Sequence, residues 1–308
     1  MIPDGSGEPV AHQRIRSAVL GWFRVNARPL AFRATSDPWA ILVSEFMAQQ
    51  TQAARAAEAW ERFLVEFPTP PALADASPAA ALRAWRGLGY NRRALSLRAA
   101  AREIVDRHGG HVPTDLAALD SLPGVGPYTA RALAALAFGQ RFGAVDTNVR
   151  RVLGRALFDE MPGARELQGA ADEIVPADGP GEWTHALMDV GATFCRPRNP
   201  RCAECPIQPW CRYAARSRDR ADRGSAATPP KRRAGKPAQT PFESTSRWLR
   251  GRILDRLRDA APSVWVSFAD PIGSHPPATV ASALARLASD RLVETRDGAP
   301  AEARLPID

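Results

Sequence analysis

From Ile15 to about Gln140 the apolar positions recur at the helical spacing, and the polar segments between them are short. Ser36-Asp37-Pro38 has a capping side chain followed by proline, the signature of a helix start. Trp39, Leu42, Val43, Phe46 and Met47 then follow the 3.6-residue period, and Gln49-Gln50-Thr51 interrupts it. A second helix runs to about Phe67, where Pro68 and Pro70 stop it. Alanine-rich stretches at 79–86 and 94–107 predict two more helices, joined by a turn at Gly87-Leu88-Gly89-Tyr90-Asn91. The alternation typical of strands is almost absent before residue 240. The first 215 residues are therefore expected to be all-α, with a bundle-like core and no solenoid repeat.

Residues 216–240 change character, being rich in Arg, Lys, Gly, Pro and Ser. Such a stretch cannot bury a core and is expected to be a basic linker. Beyond it, 246–260 is amphipathic through Leu249, Ile253, Leu254 and Leu257, and 278–289 forms a second helix. Two short runs flank Asp297-Gly298, a hairpin signal. The expected organisation is a core at 1–215, a linker at 216–240 and a small winged-helix-like module at 241–308.

The 308-residue chain is 45% hydrophobic and 24% charged, which excludes wholesale disorder and leaves room for about two domains. Its net charge of +8 favours an anionic partner, nucleic acid or an acidic membrane surface. No uninterrupted apolar stretch is long enough to span a membrane. Residues 1–14 lack the order of a signal peptide, so a cytoplasmic, nucleoid-associated protein is expected.

All four cysteines fall in one short stretch, as Cys195-x6-Cys202-x2-Cys205-x5-Cys211. Crowding of this kind marks a metal site in a reducing compartment, not a disulfide scaffold. Only Cys202 and Cys205 form a zinc-type knuckle. The wider gaps suit an iron–sulfur cluster as well, and spacing alone leaves both open. Arg196, Arg198 and Arg201 in the first gap would face phosphate well.

Leu122-Pro123-Gly124-Val125-Gly126 lies between two helical segments. Such a turn can serve simply as a connection. It can also expose backbone N–H groups and a helix N-terminus to a phosphate, clamping a nucleic-acid strand without reading its sequence. Glu45 sits among Ile41, Phe46 and Met47, where a carboxyl group can stay protonated and act as a general acid, although a surface glutamate is the commoner case. Asp146 precedes a helical run and reads as its N-cap, a role compatible with presenting a carboxylate to a cleft.

Five motifs in order resemble one family. They are Ile41–Gln52, Gly87-Leu88-Gly89-Tyr90, Leu122-Pro123-Gly124-Val125-Gly126-Pro127-Tyr128-Thr129-Ala130, Val145-Asp146-Thr147-Asn148-Val149 and the four cysteines. Together they make residues 15–215 similar to the helix-hairpin-helix base-excision DNA glycosylases, and within these to adenine glycosylases of the MutY type.

The resemblance implies a two-lobed all-α fold and a 4Fe–4S cluster on Cys195, Cys202, Cys205 and Cys211. It implies that the partner is double-stranded DNA with adenine opposite 8-oxoguanine or guanine, bound by a protein expected to be a monomer. An adenine is extruded from the stack and its glycosidic bond is hydrolysed. By the same resemblance Glu45 protonates the leaving base and activates water, and Asp146 stabilises the sugar cation. Tyr128 and Asn148 support them. Gln50, Thr51 and Tyr90 lie beside the lesion, and Leu122, Gly124, Val125 and Gly126 hold the DNA backbone.

The chain departs from the family pattern at Leu30-Ala31-Phe32-Arg33 and at His185, which stands where an adenine-contacting Gln or Glu is usual. Residues 241–308 do not resemble the family's Nudix-like domain, so lesion reading is left to the core, the tail or both. Three alternatives are weighed against this reading. An oxidised-pyrimidine glycosylase that nicks DNA needs a lysine where Tyr128 stands. A thymine or uracil mismatch glycosylase generally lacks the acid at Glu45. A non-catalytic iron–sulfur DNA-binding module needs neither carboxylate.

Overall fold

The computed structural model describes residues 10–222, 241–296 and 301–307. The first six helices are α1 (Val10–Asn26), α2 (Pro38–Ala48), α3 (Ala53–Glu66), α4 (Pro70–Ala74), α5 (Pro78–Ala84) and α6 (Arg92–His108). Then come α7 (Leu116–Ser121), α8 (Pro127–Phe138), α9 (Thr147–Leu157), α10 (Ala164–Glu173), α11 (Pro180–Thr193) and α12 (Arg212–Asp222). The C-terminal residues form α13 (Ser246–Asp259), β1 (Val266–Ser267), α14 (Pro277–Ser289), β2 (Glu294–Arg296) and β3 (Glu302–Arg304). Among the described residues no helix is long and apolar enough to cross a membrane.

Local chemistry sets the helix starts. Asp37 accepts from the N–H groups of Trp39 and Ala40 and opens α2 at Pro38, as its sequence predicts. Thr69 and Ser77 cap α4 and α5, each followed by proline at the first helical position. Asp146 caps α9, and Thr245 caps α13. The break at Gln49-Gln50-Thr51 falls between α2 and α3, with Gln50 in the left-handed region at φ 55°.

Two compact units emerge among the described residues: one takes 10–42, 114–121 and 125–222, the other 43–113, 122–124, 241–296 and 301–307. In the first, α1, α9, α10 and α11 enclose a core of Ile15, Val19, Val152, Leu153, Trp183, Leu187 and Val190. Cys195, Cys205 and Cys211 pack against that core. In the second, α4 and α5 pack on α6, and the Phe63 ring lies tilted against Phe67 and edge-on to Trp85.

The expected hairpin is present as antiparallel β2 and β3, with Thr295 opposite Ala303; its turn at Asp297-Gly298 lies outside the described residues. A strand the sequence reading missed, β1, pairs antiparallel with the other edge of β3. At two residues it is too short to carry a hydrophobic alternation. The segment read as a linker from residue 216 begins as helix, because α12 runs on to Asp222. Arg212 and Arg216 both bond Asp159 there, tying the helix down. Residues 223–240 lie outside the described residues.

Candidate active site and cluster loop

In the first unit the Asp146 carboxylate is held at both oxygens. One accepts from the Val149 N–H at 2.7 Å, the other from the Asn148 amide nitrogen at 2.9 Å. Asn148 in turn accepts at its own oxygen from Arg151 Nη2 at 2.8 Å. The same guanidinium donates to the carbonyls of Gly191 (2.8 Å), Thr147 (3.0 Å) and Cys195. A continuous chain of bonds thus runs from the Asp146 carboxylate to the backbone of the first cysteine. Gly191 makes room for it: a Cβ there would stand 2.6 Å from Asn148 Cβ. Tyr128, on the first turn of α8, reaches Met188 Sδ at 4.0 Å.

His185 and Asp189 lie one turn apart on α11. Asp189 is 1% exposed and takes bonds from Arg28 and, at both oxygens, from Arg33. Burial alone would raise its pKa, but the two guanidinium groups override that and hold it below the usual range. Burial pushes His185 down to about 3, with the Arg33 charge acting the same way, so the imidazole is neutral at physiological pH. The departure segment Leu30–Arg33 is therefore anchored to α11 by Arg33, a link no local motif announces.

The four cysteines, none in a disulfide, line one cavity together with Val152, Phe194, Ile207, Tyr213 and Ala214. Among the described residues no three His, Cys, Asp or Glu side chains converge closely enough to hold a single ion. Backbone N–H groups of Ile207 and of Tyr213 and Ala214 bond the Cys205 and Cys211 sulfurs. Burial pushes the Cys205 thiol up to about 11 and raises Cys202 and Cys211. Arg155 braces this loop: it donates to Cys195 Sγ at 3.4 Å and to the Arg196 and Pro197 carbonyls, and lies over the Tyr213 ring. Arg196 and Arg198 are exposed, and no carboxylate among the described residues pairs with them. Arg201 pairs with Glu204 on the surface.

The second unit carries Glu45, half-buried on α2 and flanked by fully buried Phe46 and Met47. It also gathers Thr51 and Tyr90 around Arg93, a residue sequence reasoning missed, with Gln50 exposed just past the end of α2. Arg93 donates to the carbonyls of Phe46, Met47 and Gln49, to Thr51 Oγ1 at 3.1 Å and to Gly89 O at 3.3 Å. Burial lowers its pKa to about 10, so it keeps its charge. The last turn of α2 is thereby tied to the turn that presents Tyr90.

Gly124 has φ 79°, and a Cβ there would lie 2.7 Å from Ser96 Cβ and 3.0 Å from Phe46 Cε1. Glycine is required at that position on both counts. Leu122 is buried at 1% exposure, Val125 at 8%, and Gly126 caps α8 with open space around it.

Residues 43–177 match the model of the HhH-GPD superfamily base excision DNA repair proteins. The chain is 42% identical over 248 residues to the adenine DNA glycosylase of Mycobacterium tuberculosis, covering 79% of this chain and 78% of that protein. It is 39% identical over 291 residues to that of Mycolicibacterium smegmatis, covering 91% and 93%. Among solved structures, that of a thermostable thymine-DNA glycosylase superposes with a TM-score of 0.64 at 28% identity, over 67% of this chain and 97% of that one. Matches of this identity and extent show that the chain, with its capped carboxylate, glycine-dependent hairpin and four-cysteine cavity, belongs to the HhH-GPD superfamily of base excision repair DNA glycosylases, in its adenine glycosylase branch.

Proposed function

We propose that this glycosylase releases adenine from DNA in which it faces 8-oxoguanine or guanine, by hydrolysis that leaves an intact abasic site. The observation that carries the reading is the Asp146 carboxylate, fixed at both oxygens by Val149 and Asn148. A simple helix cap needs only the first of these bonds. Holding the second oxygen as well keeps a negative charge in one orientation, which is what stabilisation of a developing sugar cation requires.

Glu45 gives its proton to the departing adenine as the C1′–N bond breaks. The resulting carboxylate then takes a proton from the water that adds to C1′, which restores the acid. Asn148 holds the Asp146 carboxylate, and the family motif assigns Tyr128 a supporting role. Gln50, Thr51 and Tyr90 face the lesion strand. Leu122, Gly124, Val125 and Gly126 grip the backbone with Arg196, Arg198 and Arg201. The pair formed by Arg201 and Glu204 is exposed, so a phosphate can displace the carboxylate readily.

The reaction is monofunctional. A nicking glycosylase forms a Schiff base through an amine. Tyr128 offers a phenol where the nicking relatives carry their amine, and the chain's only two lysines, Lys231 and Lys236, lie in none of the five motifs. Arginine cannot substitute, because its guanidinium stays protonated.

The cysteines hold a 4Fe–4S cluster. All four cysteines line one cavity, and their wide spacing in a chain of the adenine glycosylase branch suits a polynuclear cluster. The backbone N–H groups aimed at Cys205 and Cys211 suit thiolate sulfur. Such a cluster would fix the loop bearing Arg196, Arg198 and Arg201. Four irons per chain after anaerobic purification are expected, and stoichiometric zinc without iron would refute this.

One panel tests the activity: single-turnover base release from duplexes holding A opposite 8-oxoguanine, A opposite G, T opposite G, and an oxidised pyrimidine. Adenine release from the first two, with breakage only after alkali and no borohydride-trapped adduct, is expected. Thymine release without adenine release would move the chain to the mismatch-specific relatives.

A further inference from the structure

The C-terminal module is bolted to the turn that presents Tyr90. Arg258, 8% exposed on α13, donates to Leu82 O at 2.9 Å and to Asn91 Oδ1 at 2.6 Å. Arg83 donates back to Ala260 O, Arg86 pairs with Asp259, and Ala79 N–H bonds Pro306 O. These links bracket residues 87–91 from both sides in sequence, so α13 has one fixed position beside the turn.

From that position Arg247, near the start of α13, places its guanidinium 5.0 Å from the centre of the Tyr90 ring. Arg93 lies over the same ring at 5.6 Å. Tyr90 is 46% exposed and held at φ 46°, a conformation a tyrosine adopts only when its surroundings impose it. The neighbouring cations are otherwise engaged: Arg86 faces Asp259, while Arg92 and Arg250 face Asp290. Arg247 is exposed, and no carboxylate among the described residues pairs with it. A guanidinium that lies over a ring and has no carboxylate partner keeps donors for a bidentate acceptor, and phosphate matches that fork.

We propose that Arg247 binds a backbone phosphate of the lesion-bearing strand and sets the Tyr90 ring against it, so that the C-terminal module takes part in discriminating the base opposite adenine. This rests on the reading that Tyr90 faces the lesion. The module thereby supplies a DNA contact from outside the helical core, through a residue in none of the five family motifs.

The test uses the full-length chain and duplexes carrying a non-hydrolysable adenosine analogue opposite 8-oxoguanine or opposite T. Dissociation constants are measured across a salt series for native protein, R247A, R247K and Y90A, with thermal midpoints as a folding control. R247A is expected to lower the salt slope by about 0.9. It should also reduce the preference for the 8-oxoguanine duplex about two- to fivefold, the range of an exposed cation–π contact. R247K should keep the slope and lose the preference, because an ammonium binds phosphate but does not stack as a plane. If R247A keeps both slope and preference while Y90A loses the preference, the inference fails and the placement of Tyr90 stands. If Y90A also changes nothing, that placement fails and the inference with it.

Discussion

Removing the Arg151 side chain should slow base release strongly although Arg151 touches no reacting atom. In R151A the Asn148 amide oxygen and the carbonyls of Gly191 and Cys195 each lose a charged donor. Thr147 O is less affected, since it sits in the first turn of α9 where the helix supplies a donor. Bonds to a charged group contribute about 1.5–3 kcal/mol each when buried. These are part-buried and water can replace some of them, so a stability loss of about 2–4 kcal/mol is expected.

The rate loss follows from geometry. Without Arg151 the Asn148 amide is held only by its own bond to Asp146, so the support of the second carboxylate oxygen loosens. Misplacing a catalytic group by about an ångström costs on the order of 10²-fold. Single-turnover adenine release at a temperature where the variant is folded measures this directly. A double-mutant cycle with N148A separates the chain of bonds from general damage. If the two residues act in series, the double variant is no more than about threefold slower than the slower single variant. Multiplicative losses, or a native rate in R151A, would refute the reasoning.

Glu45→Gln should cut base release by about 10²–10⁴-fold while leaving lesion-duplex binding nearly intact, and a near-native single-turnover rate would remove Glu45 from its role. Asp146→Asn should slow release with little change in melting, because asparagine caps a helix as well as aspartate does; a comparable loss of stability would reduce Asp146 to a cap. Gly191→Ala forces a Cβ to within 2.6 Å of Asn148 and should cost about 1–3 kcal/mol and slow release, read by denaturant midpoint and single turnover. His185 stays neutral down to about 3 in the folded protein but takes up a proton near 6.5 when unfolded. Stability should therefore decline as pH falls from about 6.5 toward 4, and His185→Gln should flatten that part of the profile; an unchanged slope would show that other groups set it.

What the sequence could reveal was whatever leaves a short-range mark. Asp37-Pro38 and Asp146 announce helix starts because capping is decided within three residues. The cysteine spacing and the glycine turn at Gly124 are legible for the same reason. The expected roles of Glu45 and Tyr90 came from family motifs, not from their immediate surroundings. Arg93, Arg151, Arg155 and Arg258 were invisible. Their partners lie up to 176 residues away in Arg258's case, and a long side chain bonding backbone carbonyls demands no particular residue at the other end. The two-residue β1 went unseen because it exists only as the partner of β3. Helix α12 was cut short because its arginines look like linker charge until Asp159 is seen beneath Arg212 and Arg216.

Those arginines also change what the net charge of +8 means. Both lysines lie outside the described residues, so every Lys or Arg cation in the two units belongs to a guanidinium group. Arginine binds carbonyls, carboxylates and rings in a fixed plane, which lysine cannot do, and this chain uses it that way repeatedly. Arg33 secures Asp189, Arg93 gathers the end of α2 with the Tyr90 turn, Arg151 orients Asn148, Arg155 braces the cysteine loop and Arg258 anchors α13. Each of these is engaged inside the fold and adds no new phosphate contact. Among the described residues, Arg196, Arg198 and Arg247 are exposed and have no carboxylate partner. A salt-dependence measurement therefore counts a small set of phosphate contacts and not the basic residues of the chain: its slope should approach 0.9 per exposed arginine engaged, far below what 41 Lys and Arg would give.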